Sequence, residues 1–509
     1  MSFQRLILVV AFVLVLVVPR VLRPPQEAVR SDALPLVIIT PHLQSIWYEF
    51  GRAFGDWHQE RFGRPVEIDW RQPGGTSTIS QFLNARFAAV DALRGAPSSG
   101  IGVDILFGGG QADHEQQKRL GHLQPCGIQT EYRELLRPEI LPQTLAGATL
   151  YDPGDHYYGC CLGVFGIVSN TEAMMRRGLT RDQIPPRQWR DLTSPAFYRK
   201  TVLSDPAGGA SVVKSLEIII QQAIHETVRA RSAAAGGQPL DAAAERAAVA
   251  DGFRDGLRRM QLIAANARRI ARSSAETAVD VSQGEALAAM CIDYYGLVQA
   301  DAVRRPDGSS RVMFVAPAGG TVPDGDPIAM LRGAPHPEVA RRFIRFVLSP
   351  EGQRLWCYRV GAPGGPVKYA LHRAPIRRDM YSEEHLRFFA DSDVWPYSLA
   401  QGMTYQPAWT AALFPVIRVF IRAMCVDTHP ELCEAWGRMI ATGQARPGSP
   451  ALEALQRMPL TYDEFAAEDL RRRLRDPVEV VRLTRQWSDF FRANYAEAAR
   501  LAGRPGGPR

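Results

Sequence analysis

The sequence predicts an α/β protein of more than one domain, followed by a helical C-terminal tail. Between Leu36 and Gly110, short apolar runs alternate with segments whose apolar residues recur at helical spacing. From about Ala374 to the C-terminus the spacing is mostly helical. With 509 residues the chain is too long for one simple core, so two or three domains are expected.

Each element follows from its own residues. "LPLVIITPH" reads as a buried strand ending at Pro41 and His42, and "IWYEFGRAFGDWHQERFG" as a helix stopped at Gly63. "PVEIDWRQ" is a second strand, with Val66, Ile68 and Trp70 alternating. "PGGTSTISQFLNARF" is a glycine turn opening a helix, and "GVDILFGGG" a third strand followed by glycines. Strand, helix, strand, helix, strand is the rhythm of a parallel sheet with helical crossovers. "LYDPGDHYYGCCLGVFGIVSN" then reads as two strand pieces around a turn. The stretch from Pro185 to Ile224 gives a short helix, a strand at Thr201–Leu203 and a glycine-rich turn into a long helix. Residues 233–247 form an Ala/Gly-rich surface insertion, and "GFRDGLRRMQLIAANAR" is an amphipathic helix. "AVDVSQGEALAAMCIDYYG" gives a helix, a turn and a strand ending on Tyr294 and Tyr295. Neighbours on a strand point to opposite faces, so one core cannot easily take both rings. "RVMFVAPAGGTVPDGDPIAMLRG" supplies two further strands, and "HPEVARRFIRFVLSPEGQRLWCYRVG" an amphipathic helix pair.

Composition excludes some functions. The net charge is +7, but only Lys118, Lys200, Lys214 and Lys368 among the 60 basic residues are lysines. Arginine replaces lysine throughout, and no dense basic run with interleaved aromatics appears, so no nucleic-acid partner is expected. Arg5 precedes an apolar run from Leu6 to Val18. That run is shorter than the about 20 residues that span a bilayer comfortably. It predicts export, with a cleaved signal peptide and an uncleaved anchor both open. Seven cysteines carry no metal-ligand spacing. Cys425 and Cys433 flank "VDTHPEL" and are the best local candidates for a disulfide, and the odd count leaves at least one thiol over. No GxSxG, HExxH or P-loop appears, and Cys160–Cys161 has only His156 near it in sequence, so no enzyme is expected.

The order of elements over Leu36 to Pro366 resembles the periplasmic solute-binding proteins of ABC importers, in the iron(III)/thiamine/polyamine-type branch. The resemblance rests on "LVIITPHLQSIWYEFGRAF", "GVDILFGGG", "GVFGIVSNTEAM", "PPRQWRDLTSPAFYRKTVLSDPAGGAS", "SQGEALAAMCIDYYG" and "HPEVARRFIRFVLSPEGQRLW", in the family's order. It implies a two-lobed type II periplasmic-binding-protein-like fold, with mixed sheets flanked by helices, a hinge and solute in the cleft. The implied divisions are 1–22 as signal peptide or anchor, 23–35 as linker, 36–155 as the first part of lobe 1 and 156–315 as lobe 2. Residues 316–373 return to lobe 1, and 374–509 form a helical extension on which the resemblance is silent. The implied role is a monomeric, periplasmic receptor, tethered to the inner membrane in the alternative where its leader is kept, that delivers a small-molecule or metal ligand to an inner-membrane permease. A membrane-anchored sensor with the same fold is the alternative, and a hydrolytic enzyme the remaining one.

In the iron-binding members, the resemblance implies that adjacent tyrosines at this point supply phenolate oxygens to Fe(III). Tyr294, Tyr295 and His42 stand at the matching positions. Fe(III) enters here as transported ligand, with no resident cofactor expected. The loop "PGGTSTI" lacks the acid that iron binders usually carry there. Read from its residues, Gly74, Gly75, Thr76 and Ser77 open a helix with free N–H groups and two hydroxyls, an anion site or an ordinary N-cap. "DPAGGAS", with Asp205, Gly208, Gly209 and Ser211, repeats the device in the facing lobe. Two such loops would clamp an oxyanion, or a metal with its anion. "FGGG" at Gly108–Gly110 reads as a cleft-floor turn. Tyr158, with Asp155, His156 and Tyr157, falls near the first crossover and lines either the cleft or a surface turn. Asp324 and Asp326 lie near the return to lobe 1, where a turn is expected over contact with a cation. Fe(III), a metal–anion complex, a phosphorylated or carboxylated organic solute and a polyamine all remain open as ligands.

Overall fold

The computed structural model describes residues 32–94, 99–208, 210–391 and 395–503. The predicted leader at 1–22, most of the linker and Gly209 lie outside these residues. The strands are β1 (Leu34–Ile39), β2 (Val66–Arg71), β3 (Ile105–Phe107), β4 (Leu123–Gln124), β5 (Thr144–Leu145), β6 (Ala148–Thr149) and β7 (Tyr157–Gly163). They continue as β8 (Phe165–Asn170), β9 (Thr201–Ser204), β10 (Ala267–Ala271), β11 (Ala288–Ile292), β12 (Val312–Val315), β13 (Asp324–Leu331) and β14 (Ala374–Pro375).

The first lobe is built on a sheet of order β14-β7-β13-β3-β1-β2, with β4 on β13. β1 runs parallel to β2 and β3, whereas β13 is antiparallel to β3 and β7. Alternation sorts the side chains of β1: Leu36 and Ile38 enter one core, while Val37 and Ile39 face the other. Helices therefore cover both faces, Gln44–Phe62 and Pro337–Leu348 on one and Thr76–Arg94 on the other. β2 is an edge strand, and Val66, Ile68 and Trp70 are the half-buried residues of its alternating pattern.

The second lobe has a sheet of order β10-β9-β11-β8-β12. Met290 and Leu203 face one core, Cys291 and Val202 the other. The helices Ala210–Ala234 and Ala242–Ala265 form a long pair. Close packing is possible because Gly252 and Gly256 carry no side chain: a Cβ there would come within 2.5 Å of Ile224 Cα and 2.7 Å of Ile220 Cα. The predicted insertion at 233–247 is the end of one helix, its exposed turn and the start of the next.

Three sequence expectations are corrected. β7 and β8 are not two strands around a turn; they belong to different sheets, and Val164 between them is the first crossover. The tail does not begin after the first lobe ends, because β14 pairs with β7 inside that lobe's sheet. Cys425 and Cys433 are not joined: both are free and buried, and Cys433 Sγ sits against the Ala265 and Ala267 carbonyls of the second lobe.

The tail is integral to the second lobe. Its helices Phe414–Ile421, His429–Ala441 and Pro477–Ala502 share one core with Trp189, Leu203, Ile220 and Phe253. Pro407–Val426 is the one stretch among the described residues that is long and apolar enough to cross a membrane, and half of its most apolar window is buried in the protein.

Candidate functional site

A cavity of about 470 Å³ opens between the lobes. Three helices bring their first residues to its wall: Thr76–Arg94 through Thr76, Gln111–Arg119 through Gln111 and Ala112, and Asp293–Ala302 through Tyr294 and Tyr295. Ala210–Ala234 adds Lys214. N-terminal turns carry unpaired N–H groups and a partial positive charge, so this wall favours anions.

The floor is a buried ionic cluster in the first lobe. One oxygen of Asp326 accepts from the Gly109 N–H at 2.9 Å. The other accepts from Arg373 and lies 3.1 Å from His42 Nε2. Burial works against ionisation of Asp326, but Arg373 and then His42 outweigh it and hold the carboxyl at about 2. Arg373 also meets Cys161 Sγ at 3.2 Å and lies 4.6 Å from the Tyr294 ring centre. The glycine turn is required here, since a Cβ on Gly108 (φ +92°) would strike His42 Nε2 at 2.4 Å.

The tyrosine pair lies on a helix, not at the end of a strand. β11 stops at Ile292, and Asp293 is the first helical residue, an acid well placed on the helix dipole. Asp293 holds the first crossover: its N–H donates to Val164 O at 2.9 Å, and Oδ2 accepts from Val164 N–H at 3.0 Å. Burial, only partly offset by Arg373, pushes this carboxyl up to about 7. Tyr294 and Tyr295 both line the cavity, with ring centres 4.0 Å apart. Burial raises both phenols, Tyr294 well above its ordinary value.

The second-lobe wall carries another charged cluster. Lys214 Nζ is 3.0 Å from Glu217 Oε2 and 3.7 Å from the Tyr405 ring centre. Burial disfavours its charge, but Glu217 outweighs that and raises the amine. Glu217, itself fully buried, also accepts from Tyr405 Oη at 2.7 Å and Thr410 Oγ1 at 2.6 Å. Burial pushes Asp324 up, with Lys214 opposing.

The two glycine-rich loops meet. A Cβ on Gly75 would lie 3.4 Å from Gly208 O, so the cleft is closed along this rim. Of the residues singled out in sequence, His42, Thr76, Gly109, Gly110, Tyr294, Tyr295, Asp324 and Asp326 line the cavity. Gly74 and Gly75 are in the rim loop, and Ser77 Oγ is buried without a hydrogen-bond partner. Asp205 does not reach the cavity; its carboxylate accepts from Ala207 N–H at 2.8 Å in a local turn. Ser211 lies in the helix Ala210–Ala234, and its side chain is outside the described residues. Tyr158 is turned away: it is buried in the first core, stacked on Tyr151 and donating to Asp155, whose carboxylate accepts from the Gly127, Ile128 and Gln129 N–H groups.

Sequence reading missed Arg373, Lys214, Glu217 and the whole contribution of the tail. Lys214 offered a signal, as one of four lysines in an arginine-rich chain and a charge inside the apolar run "SVVKSLEIII". Arg373 offered none.

Two α/β lobes joined by crossovers, with a closed polar cleft between them, define a hinged solute-binding protein. Residues 127–380 match the family model of bacterial extracellular solute-binding proteins, and this stretch of the chain belongs to that family. An uncharacterized protein of Haemophilus influenzae is 22% identical over 280 residues, 55% of this chain and 67% of its own length. The periplasmic binding protein AfuA of Actinobacillus pleuropneumoniae, with fructose-6-phosphate bound, superposes with a TM-score of 0.50 at 14% identity, over 79% of this chain and 97% of AfuA. Iron-bound HitA of Pseudomonas aeruginosa superposes with a TM-score of 0.48 at 16% identity, over 76% and 99%. The fold is that of the type II periplasmic binding proteins.

Proposed function

We propose that this protein is the solute receptor of an ABC importer, working outside the cytoplasm, and that its cleft takes a small organic anion for delivery to a membrane permease. The observation that carries the ligand class is the cavity itself. Its volume of about 470 Å³ suits an organic solute, and helix N-termini from both lobes open onto it with Arg119, Lys214 and Arg373; of the lining acids, Glu217 and Asp326 are paired with Lys214 and Arg373, and Glu115 and Asp324 stand on the wall beside them. The alternative cargo, Fe(III), needs the phenols of Tyr294 and Tyr295 ionised. His42 Nε2 is already engaged by Asp326, and the loop "PGGTSTI" offers no carboxylate to complete a ferric site.

Calorimetric titration with phenyl phosphate and benzoate, beside addition of ferric citrate, tests the assignment. Saturable binding of an organic anion without a visible tyrosinate–iron band is expected. A charge-transfer band lost in both Tyr294→Phe and Tyr295→Phe overturns the organic reading in favour of iron.

A further inference from the structure

The cavity has a wall that comes from beyond residue 373, from the part of the chain that follows the two α/β lobes in sequence. Residues of the C-terminal extension reach it at Tyr405, Pro407, Ala411, Ala412 and Phe414. Tyr405 spends its hydroxyl on Glu217 and its ring on Lys214, so the side chains left for a guest are all apolar. Pro407, Ala411 and Ala412 are exposed and Phe414 is half-buried, so they present surface to the cavity instead of packing inward.

This wall is fixed in place. The Tyr405 N–H donates to Ala146 O at 2.8 Å, and its carbonyl fills the space that a side chain on Gly147 would occupy. Gln221 exchanges hydrogen bonds with the Gln406 backbone at 2.8 and 3.1 Å and donates to Thr410 Oγ1 at 2.8 Å. Just beyond, Leu413, Val416, Ile417 and Phe420 are anchored in the second core. Pro407–Val426 is thus apolar on two sides for two reasons: one side packs into the lobe, and its start faces the cleft. An apolar surface held at the edge of a charged cavity is complementary to a solute with both characters.

We propose that the C-terminal extension is the specificity-determining wall of the cleft, and that the solute is an amphipathic organic anion whose apolar part rests on Pro407, Ala411, Ala412 and Phe414. This rests on the organic-anion reading above and adds what selects among such anions. The lobes bind the anionic head, and the extension reads the remainder.

The test compares matched probes on the full-length protein by calorimetry: phenyl phosphate against inorganic phosphate, and benzoate against acetate. The wild type is expected to favour the aromatic member of each pair by at least about tenfold. Phe414→Ala and, on the exposed surface, Ala412→Gln are expected to cut that preference by about tenfold and leave the simple anions unchanged. Aromatic and simple anions bound equally, or a preference untouched by both variants, overturns the role of the extension while the receptor reading stands. No binding of any of the four probes overturns both. A loss of simple-anion binding in Ala412→Gln, with an unchanged melting temperature, also counts against a purely apolar role.

Discussion

Asp326 shows how one residue organises the floor of the cleft. It is buried, yet ionised, because Arg373, His42 and the Gly109 N–H all meet its two oxygens. Its carboxyl is held at about 2, below the ordinary 3.8. A depressed acid stabilises the fold fully above its unfolded value and loses that contribution as pH falls through the folded one. Stability is therefore expected to drop by about 2 kcal/mol between roughly pH 4 and pH 2 from this group alone. Asp326→Asn leaves Arg373 buried without its counter-charge, and should cost about 3–5 kcal/mol at pH 7 in urea unfolding and abolish that part of the acid slope. An unchanged midpoint at pH 7 would show that Arg373 is satisfied by other groups. The aspartate read as a turn residue in sequence because "PDGDP" has the composition of one. Its role comes from a strand bulge at Asp326/Pro327 and from an arginine 47 positions later, and no local pattern records either. His42 was legible because it follows the end of a buried strand whose C-terminal end opens on the cleft.

Elements were read well where one periodicity ran unbroken, and poorly where it changed within a few residues. "AAMCIDYYG" begins as a strand and continues as a helix without a glycine or proline between them, so the tyrosines were assigned to the strand. The only local mark of the change is Asp293 at the first helical position. The helices of the tail were legible one by one, but their placement against the second lobe was not, since shared cores leave no trace in local spacing. The pair Ala210–Ala234 and Ala242–Ala265 depends on Gly256, where an added Cβ would fall 2.7 Å from Ile220 Cα. Gly256→Ala gains up to about 1 kcal/mol of helix propensity. The clash is with backbone, which cannot rotate away, and separating the helices costs about 1–3 kcal/mol. Net destabilisation of about 1–2 kcal/mol is expected in urea unfolding, and a more stable variant would mean the helices already sit further apart in solution.

At the scale of the molecule, the chain passes between the lobes three times among the described residues. The first passage is at Val164 and the second runs through 316–323. The third, near 401–406, leaves Tyr397 and Ala400 on the first core and reaches Thr410 and Leu413 on the second lobe. Phe165, Val322, Met403 and Tyr405, drawn from all three passages or their ends, pack into one small apolar cluster. The passages thus run together through one narrow zone, the place a hinge requires, and the lobes also meet at the rim where Gly75 faces Gly208 O. Gly75 is exposed, and among the described residues Gly208 O is the one neighbour within 4 Å of its added Cβ, so a side chain there points at the facing lobe. Gly75→Trp should act as a wedge. The radius of gyration from small-angle scattering is expected to rise relative to the wild type, because the closed rim no longer fits. The melting temperature should stay the same, since no core is touched, and phenyl phosphate should bind more weakly because closure now opposes the wedge. An unchanged radius together with unchanged affinity would mean that the rim contact is incidental and that the cleft is gated elsewhere. A larger radius with full affinity would mean that binding does not need the lobes to close.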